Sequence, residues 1–124
     1  MKRVTGIGGI FFKATDPAGL ARWYREHLGV PVDEDASHAL FHWREDRGGD
    51  GLTVWSLFDR ADGYFRSDAP FMVNYRVDDL DALLAALRAE GVVVDERVDD
   101  LPEGRFGWVT DPEGNRIELW QPPR

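Results

Sequence analysis

The sequence predicts an α+β fold built from two tandem β-α-β-β-β modules, and three observations predict it. Two apolar stretches ending in acids, residues 10–16 and 71–79, each lead into a helical pattern. Three short β-like stretches follow each helix. The second set also repeats the first in order: the helices correspond at an offset of about 62 residues. The closing strands Thr53-Val54-Trp55-Ser56 and Glu118-Leu119-Trp120-Gln121 correspond at an offset of 65. Module 1 then spans about residues 4–58, a linker about 59–69 and module 2 about 70–122, within the single domain that 124 residues suit.

Each element has a local cause. Asp16 can cap the first helix, with Pro17 in its first turn, where a missing N–H costs nothing. Leu20, Trp23, Tyr24, His27 and Leu28 recur at helical spacing, and Gly29 stops the helix. In the second half Asp78 caps, Leu80, Leu83, Leu84 and Leu87 form the buried stripe, and Gly91 stops it. The β stretches are Val30-Pro31-Val32, 39–44 and 52–58, then 92–98, 105–110 and 116–120. Turn residues 46–51 and 111–115 join the last two of each set. Phe58, Tyr64 and Phe65 are expected to pin the linker, Trp23 and Trp43 to lie in the core, and Trp120 nearer the surface.

Composition narrows the function. Cysteine is absent, which removes disulfides and thiolate chemistry and fits a cytoplasmic protein. A net charge of −8 disfavours nucleic acid and anionic membrane as partners. Met1-Lys2-Arg3-Val4 has the charge of a signal peptide's start, but three glycines and Lys13 break the apolar stretch that follows, which reads as a strand. Aromatic residues make up 12 % of the chain, enough to line a pocket as well as fill a core. The Gly6-Ile7-Gly8-Gly9 run lacks phosphate-loop spacing, and the acids at 33–35 and 99–100 sit in expected loops.

The duplicated β-α-β-β-β order, the string Val77-Asp78-Asp79-Leu80-Asp81 and the closing Asp111-Pro112-Glu113-Gly114-Asn115-Arg116-Ile117-Glu118-Leu119 together resemble the glyoxalase / bleomycin-resistance / extradiol-dioxygenase (vicinal oxygen chelate) superfamily. The resemblance covers the whole chain. It implies curved mixed sheets forming a cup, a small-molecule ligand and a homodimer. It also implies metal ligands, in catalytic members, on the first and last strands of each module. Here those positions are Gly9, Thr53, Met72 and Glu118. Glycine has no side chain, a thioether suits soft metals and a neutral hydroxyl is a poor ligand. One carboxylate remains, so a family-type metal site is disfavoured and no cofactor is expected.

Alternation then fills the cup with other groups. Asn74 and Arg76 accompany Met72, Arg116 and Trp120 accompany Glu118, and Trp55 accompanies Thr53. Leu40, His42 and Arg44 turn inward, with Phe106 and Trp108 as walls. Glu118 either pairs with Arg116 or Arg76 or meets a ligand. Asn74, an amide inside an apolar strand, needs a partner, which a ligand, a water or a main-chain group could supply. Three functions fit: metal-free binding of a small organic molecule, acid–base catalysis of lyase or isomerase type by Glu118 with His42, or a metal enzyme with unusual ligands.

Overall fold

The computed structural model describes residues 3–33, 37–43 and 51–123, and within them the α+β class holds, with the β-α-β-β-β order complete in the second half and one strand short in the first. In chain order the elements are β1 (Val4–Ala14), α1 (Pro17–Leu28), β2 (His38–Trp43), β3 (Gly51–Asp59), β4 (Phe71–Val77), α2 (Leu80–Ala89), β5 (Val93–Leu101), β6 (Gly104–Thr110) and β7 (Arg116–Gln121). Arg44, the acids Glu34 and Asp35, the side chain of Trp43 and most of the first expected turn lie outside the described residues. Two compact units result, one of residues 9–71 and one of residues 1–8 with 72–124, so the division runs through β1 between two glycines. Among the described residues no helix is long and apolar enough to cross a membrane.

In the 9–71 unit β3 lies between β1 and β2, parallel to the first and antiparallel to the second. Asp16 accepts from the Gly19 backbone N–H and Gly29, at φ 66°, ends α1, as the sequence predicts. Val30-Pro31-Val32 forms no strand; it is a connection whose Val32 enters the core. The core joins Ala21, Val32, Ala39 and Leu57, with Phe12, Leu20 and Trp55 packed on it. Trp23, expected inside, is 48 % exposed on α1. Residues 63–65 make a single 3-10 turn, and the rings of Tyr64 and Phe65 both pack on Phe58, at 5.2 and 5.1 Å, which fastens the linker.

In the other unit the strand order is β4-β7-β6-β5, with β4 parallel to β7 and the remaining pairs antiparallel. Leu80, Leu83 and Leu84 of α2 close over Val77, Val109 and Leu119, each leucine worth roughly 1.5–3 kcal/mol of burial. Gly107 gives the helix its seat, because a Cβ there would stand 3.1 Å from Leu84 Cδ1. The cap of α2 is Asp79, which accepts from Ala82 N, rather than Asp78 one residue earlier. Trp120, expected near the surface, is buried at 8 % exposure with its Nε1–H donated to the Glu103 carbonyl.

The β6–β7 hairpin closes on Asp111. Its Oδ1 accepts from Glu113 N and Asn115 N, both at 2.9 Å, and its Oδ2 accepts from Asn115 Nδ2 at 2.8 Å. Hydrogen bonds from the Asn115 side chain first, then from the turn's backbone, hold this carboxyl below its ordinary value of 3.8. Because the folded pKa is depressed, the native state binds fewer protons than the unfolded state between the two values. The stabilisation is therefore complete above the ordinary value and disappears as pH falls through the folded one. Asp111→Ala should lower the urea midpoint at neutral pH, and the gap from wild type should begin to narrow in urea titrations as pH falls below about 4.

Candidate functional site

The unit of residues 1–8 with 72–124 carries two different sheet faces. Tyr75, Val77, Val109, Ile117 and Leu119 turn to α2. The alternate residues turn the other way, and strand register aligns them: Asn74 opposite Glu118, Arg76 opposite Trp120, Trp108 opposite Glu118 and Phe106 opposite Trp120. The sequence-predicted residues Met72, Asn74, Arg76, Phe106, Trp108 and Glu118 thus share the face away from α2.

At its centre Glu118 has no exposed surface. Asn74 Nδ2 donates to Glu118 Oε1 at 2.6 Å, and Trp108 Nε1 donates to Oε2 at 3.0 Å. A carboxylate taken out of water costs several kcal/mol unless hydrogen-bonded, and both oxygens here receive an N–H. Asn74 therefore finds its partner in Glu118, a group not among the candidates its sequence context suggests. Arg116 pairs with Asp95 at 3.0 Å. Its guanidinium and that of Arg97 lie 5.5 and 5.1 Å from the Trp108 ring, and Arg97 makes a two-pronged contact with Asp99, both bonds 2.7 Å. Met72, Asn74, Trp108 and Glu118 are buried, while Arg76 and Phe106 are partly exposed.

Gly8 completes the arrangement. A Cβ at position 8 would stand 2.0 Å from Asn74 Oδ1 and 2.9 Å from Trp120 Cε3. Asn74 Oδ1 is buried without a hydrogen-bond partner among the described residues, and only glycine leaves it room. A glycine inside a strand pattern is the sequence signal for such close approach, and it could have found this residue.

Two other expected residues belong to the 9–71 unit. Trp55 is not on the face away from the helix. Its ring meets Tyr24 of α1 at 5.1 Å and Phe12 at 5.5 Å, inside the α1 core. The register explains the correction: Gly9 pairs with Val54 and Phe11 with Ser56, so Thr53 and Trp55 point to the opposite side from Gly9. Ser56, not Thr53, is thus the counterpart of Glu118. His42 lies on β2 with its side chain exposed.

The implied metal does not fit these residues. An N–H already points at each oxygen of Glu118, and these donors neutralise none of the repulsion a cation would feel from them. Among the described residues no three His, Cys, Asp or Glu side chains gather into a ligand set. Free volume lies elsewhere on the unit. A cavity of ≈ 360 Å³ opens at the carboxyl ends of β4 and β7, lined by Arg76, Val77, Asp78, Gln121, Pro122 and Pro123. Of these only Arg76 is a site residue predicted from sequence.

Gly8→Ala should break the Asn74–Glu118 bond and cost about 1–3 kcal/mol of unfolding free energy. Gly63→Ala, whose Cβ meets nothing within 4 Å, should change stability by less than about 0.5 kcal/mol. Urea titration of both variants checks the difference.

Comparison with known proteins gives concordant matches. The family model described as a glyoxalase-like domain matches residues 9–120. The uncharacterized protein YaeR of Escherichia coli K12 is 30 % identical over 115 residues, covering 87 % of this chain and 89 % of that one. Methylmalonyl-CoA epimerase from Mycobacterium tuberculosis superposes with a TM-score of 0.68 at 23 % identity, covering 98 % of this chain and 90 % of its own. A glyoxalase/bleomycin resistance protein/dioxygenase superfamily member from Vibrio splendidus 12B01 superposes at 0.56 with 13 % identity, covering 90 % and 95 %. At such identities the two structures speak for the fold alone.

Proposed function

The chain belongs to the glyoxalase-like domain family, and on that premise we propose that it binds a small organic molecule without the metal implied by the family resemblance. One observation carries the reading: Glu118, the sole carboxylate among the four implied ligand positions, is fully buried with Asn74 and Trp108 donating to its two oxygens. A group so engaged serves the sheet's architecture. As a metal ligand it has no three-residue set of His, Cys, Asp or Glu around it among the described residues, and as a base it has no solvent-exposed surface from which to meet a substrate proton. Phe106, partly exposed on the same face, offers a ligand an aromatic surface there. We extend the proposal to a homodimer in the cytoplasm, on the resemblance and the cysteine-free composition.

The test is a thermal-shift screen of small organic compounds on the full chain, run with and without chelator, beside titrations with Zn, Ni, Mn and Fe(II). Ligand-induced stabilisation should survive the chelator, and no metal should bind saturably. Glu118→Gln should lower the melting temperature without metal, since its amide sets an N–H donor against a donor. One metal held per chain and lost in Glu118→Gln would overturn the proposal.

A further inference from the structure

We infer that a second cavity, beneath the C-terminal end of α2, is a binding site for a small, uncharged and largely apolar molecule of about one ring. Its volume is ≈ 390 Å³, within the range of ligand pockets. At about 30 Å³ per water-sized group it admits roughly a dozen non-hydrogen atoms. Leu87, Val92, Val109, Ile117 and Pro112 form its walls, with Val93, 67 % exposed, at the lip. Val109 and Ile117 turn to α2, so the site is on the opposite side of the sheet from Phe106 and goes beyond the proposed function.

The space stays open for a local reason. The stripe Leu80, Leu83, Leu84 and Leu87 runs along α2 at helical spacing. The first three are buried, whereas Leu87 is only partly so. The helix stops directly after it. Glu90 N and Val92 N both donate to the Leu87 carbonyl, at 3.2 and 3.0 Å, and Gly91, at φ 81°, turns the chain towards β5. Val92 and Ile117 are thereby left partly exposed. Across the cavity the Asp111 turn fixes Pro112, which has no N–H and a restricted φ. The cavity is preformed between a helix stop and a locked hairpin.

Its walls select against charge. Among the described lining residues Asp111 is the only ionisable group, and both its oxygens already accept N–H donors from its own turn. An anion would be repelled by that carboxylate, in a chain of net charge −8. A cation would exchange water for aliphatic walls and a carboxylate that is already hydrogen-bonded. An uncharged apolar molecule gives up little hydration and removes Leu87, Val92 and Ile117 from water. A second copy of the chain is a poor occupant. By two-fold symmetry the patch would meet itself and set Asp111 and the adjoining Glu113 against their counterparts.

Benzyl alcohol, benzoate and benzylammonium, matched in size, test this by calorimetry and by NMR titration of the full chain. Benzyl alcohol should bind saturably and at least ten-fold more tightly than either charged analogue, with the largest shifts at the backbone amides of Gly91, Val92 and Thr110. Leu87→Phe and Ile117→Phe, each filling the cavity from a partly exposed position, should abolish that binding. Either variant suffices, and the wild-type shifts test the location without one. No saturable binding of benzyl alcohol, equal binding of the three probes, or binding that persists in both variants would overturn the inference. Benzyl alcohol shifting the amides of Phe106 and Trp108 instead would overturn it while leaving the proposed function standing.

Discussion

The hydrogen bonds that Asn74 and Trp108 donate to the buried Glu118 carboxylate organise the face of the sheet away from α2. Burying such a group without partners would consume a large part of a small domain's margin of stability, so the chain delivers donors to it. Register does this: β4 and β6 both place a donor directly opposite Glu118 on β7. The consequences spread outward. Asn74 needs a glycine at position 8, Trp108 offers its ring to Arg97 and Arg116, and those cations bring Asp99 and Asp95 into line.

The same constraint separates the two halves of the duplicated chain. At the paired positions where one unit sets Asn74 against Glu118, the other sets Phe11 against Ser56. One carries a polar knot, and the other an aromatic packing in which Phe11 meets Phe58 at 5.4 Å. The two halves therefore carry different chemistry at equivalent places, which agrees with a fold that hosts several functions.

Much of the fold was legible because its signals are local. Asp16 with Pro17, Gly29 and the leucine stripe of α2 each specify an element through short-range physics. The face shared by Met72, Asn74, Arg76 and Glu118 was also legible, since alternation along paired strands is a strict period of two. Trp55 failed for the same reason. Aligning Trp55 with Trp120 imposed an offset of 65 on the closing strands, whereas the pairing of Ser56 and Glu118 corresponds to 62, and an odd slip turns every side chain to the other face. Trp55 and Trp120 sit in similar strings, whereas the register makes Phe58 the equivalent of Trp120. The donors to Glu118 were not legible, because cross-strand bonds depend on register that no single strand encodes. The cap of α2 lies one residue later than expected, at Asp79, since two adjacent acids at a helix start compete for one cap and only geometry decides between them.

The most direct test of this account is hydrogen exchange at the Trp108 indole Nε1–H, followed by NMR in the full chain with the half-exposed Trp23 indole as internal reference. A proton held by a buried carboxylate should exchange on the timescale of core amides, orders of magnitude more slowly than that of Trp23, and should remain protected when divalent metal is added. Exchange as fast as that of Trp23, or protection lost on adding metal, would show that Glu118 is free to serve another partner and would contradict the account.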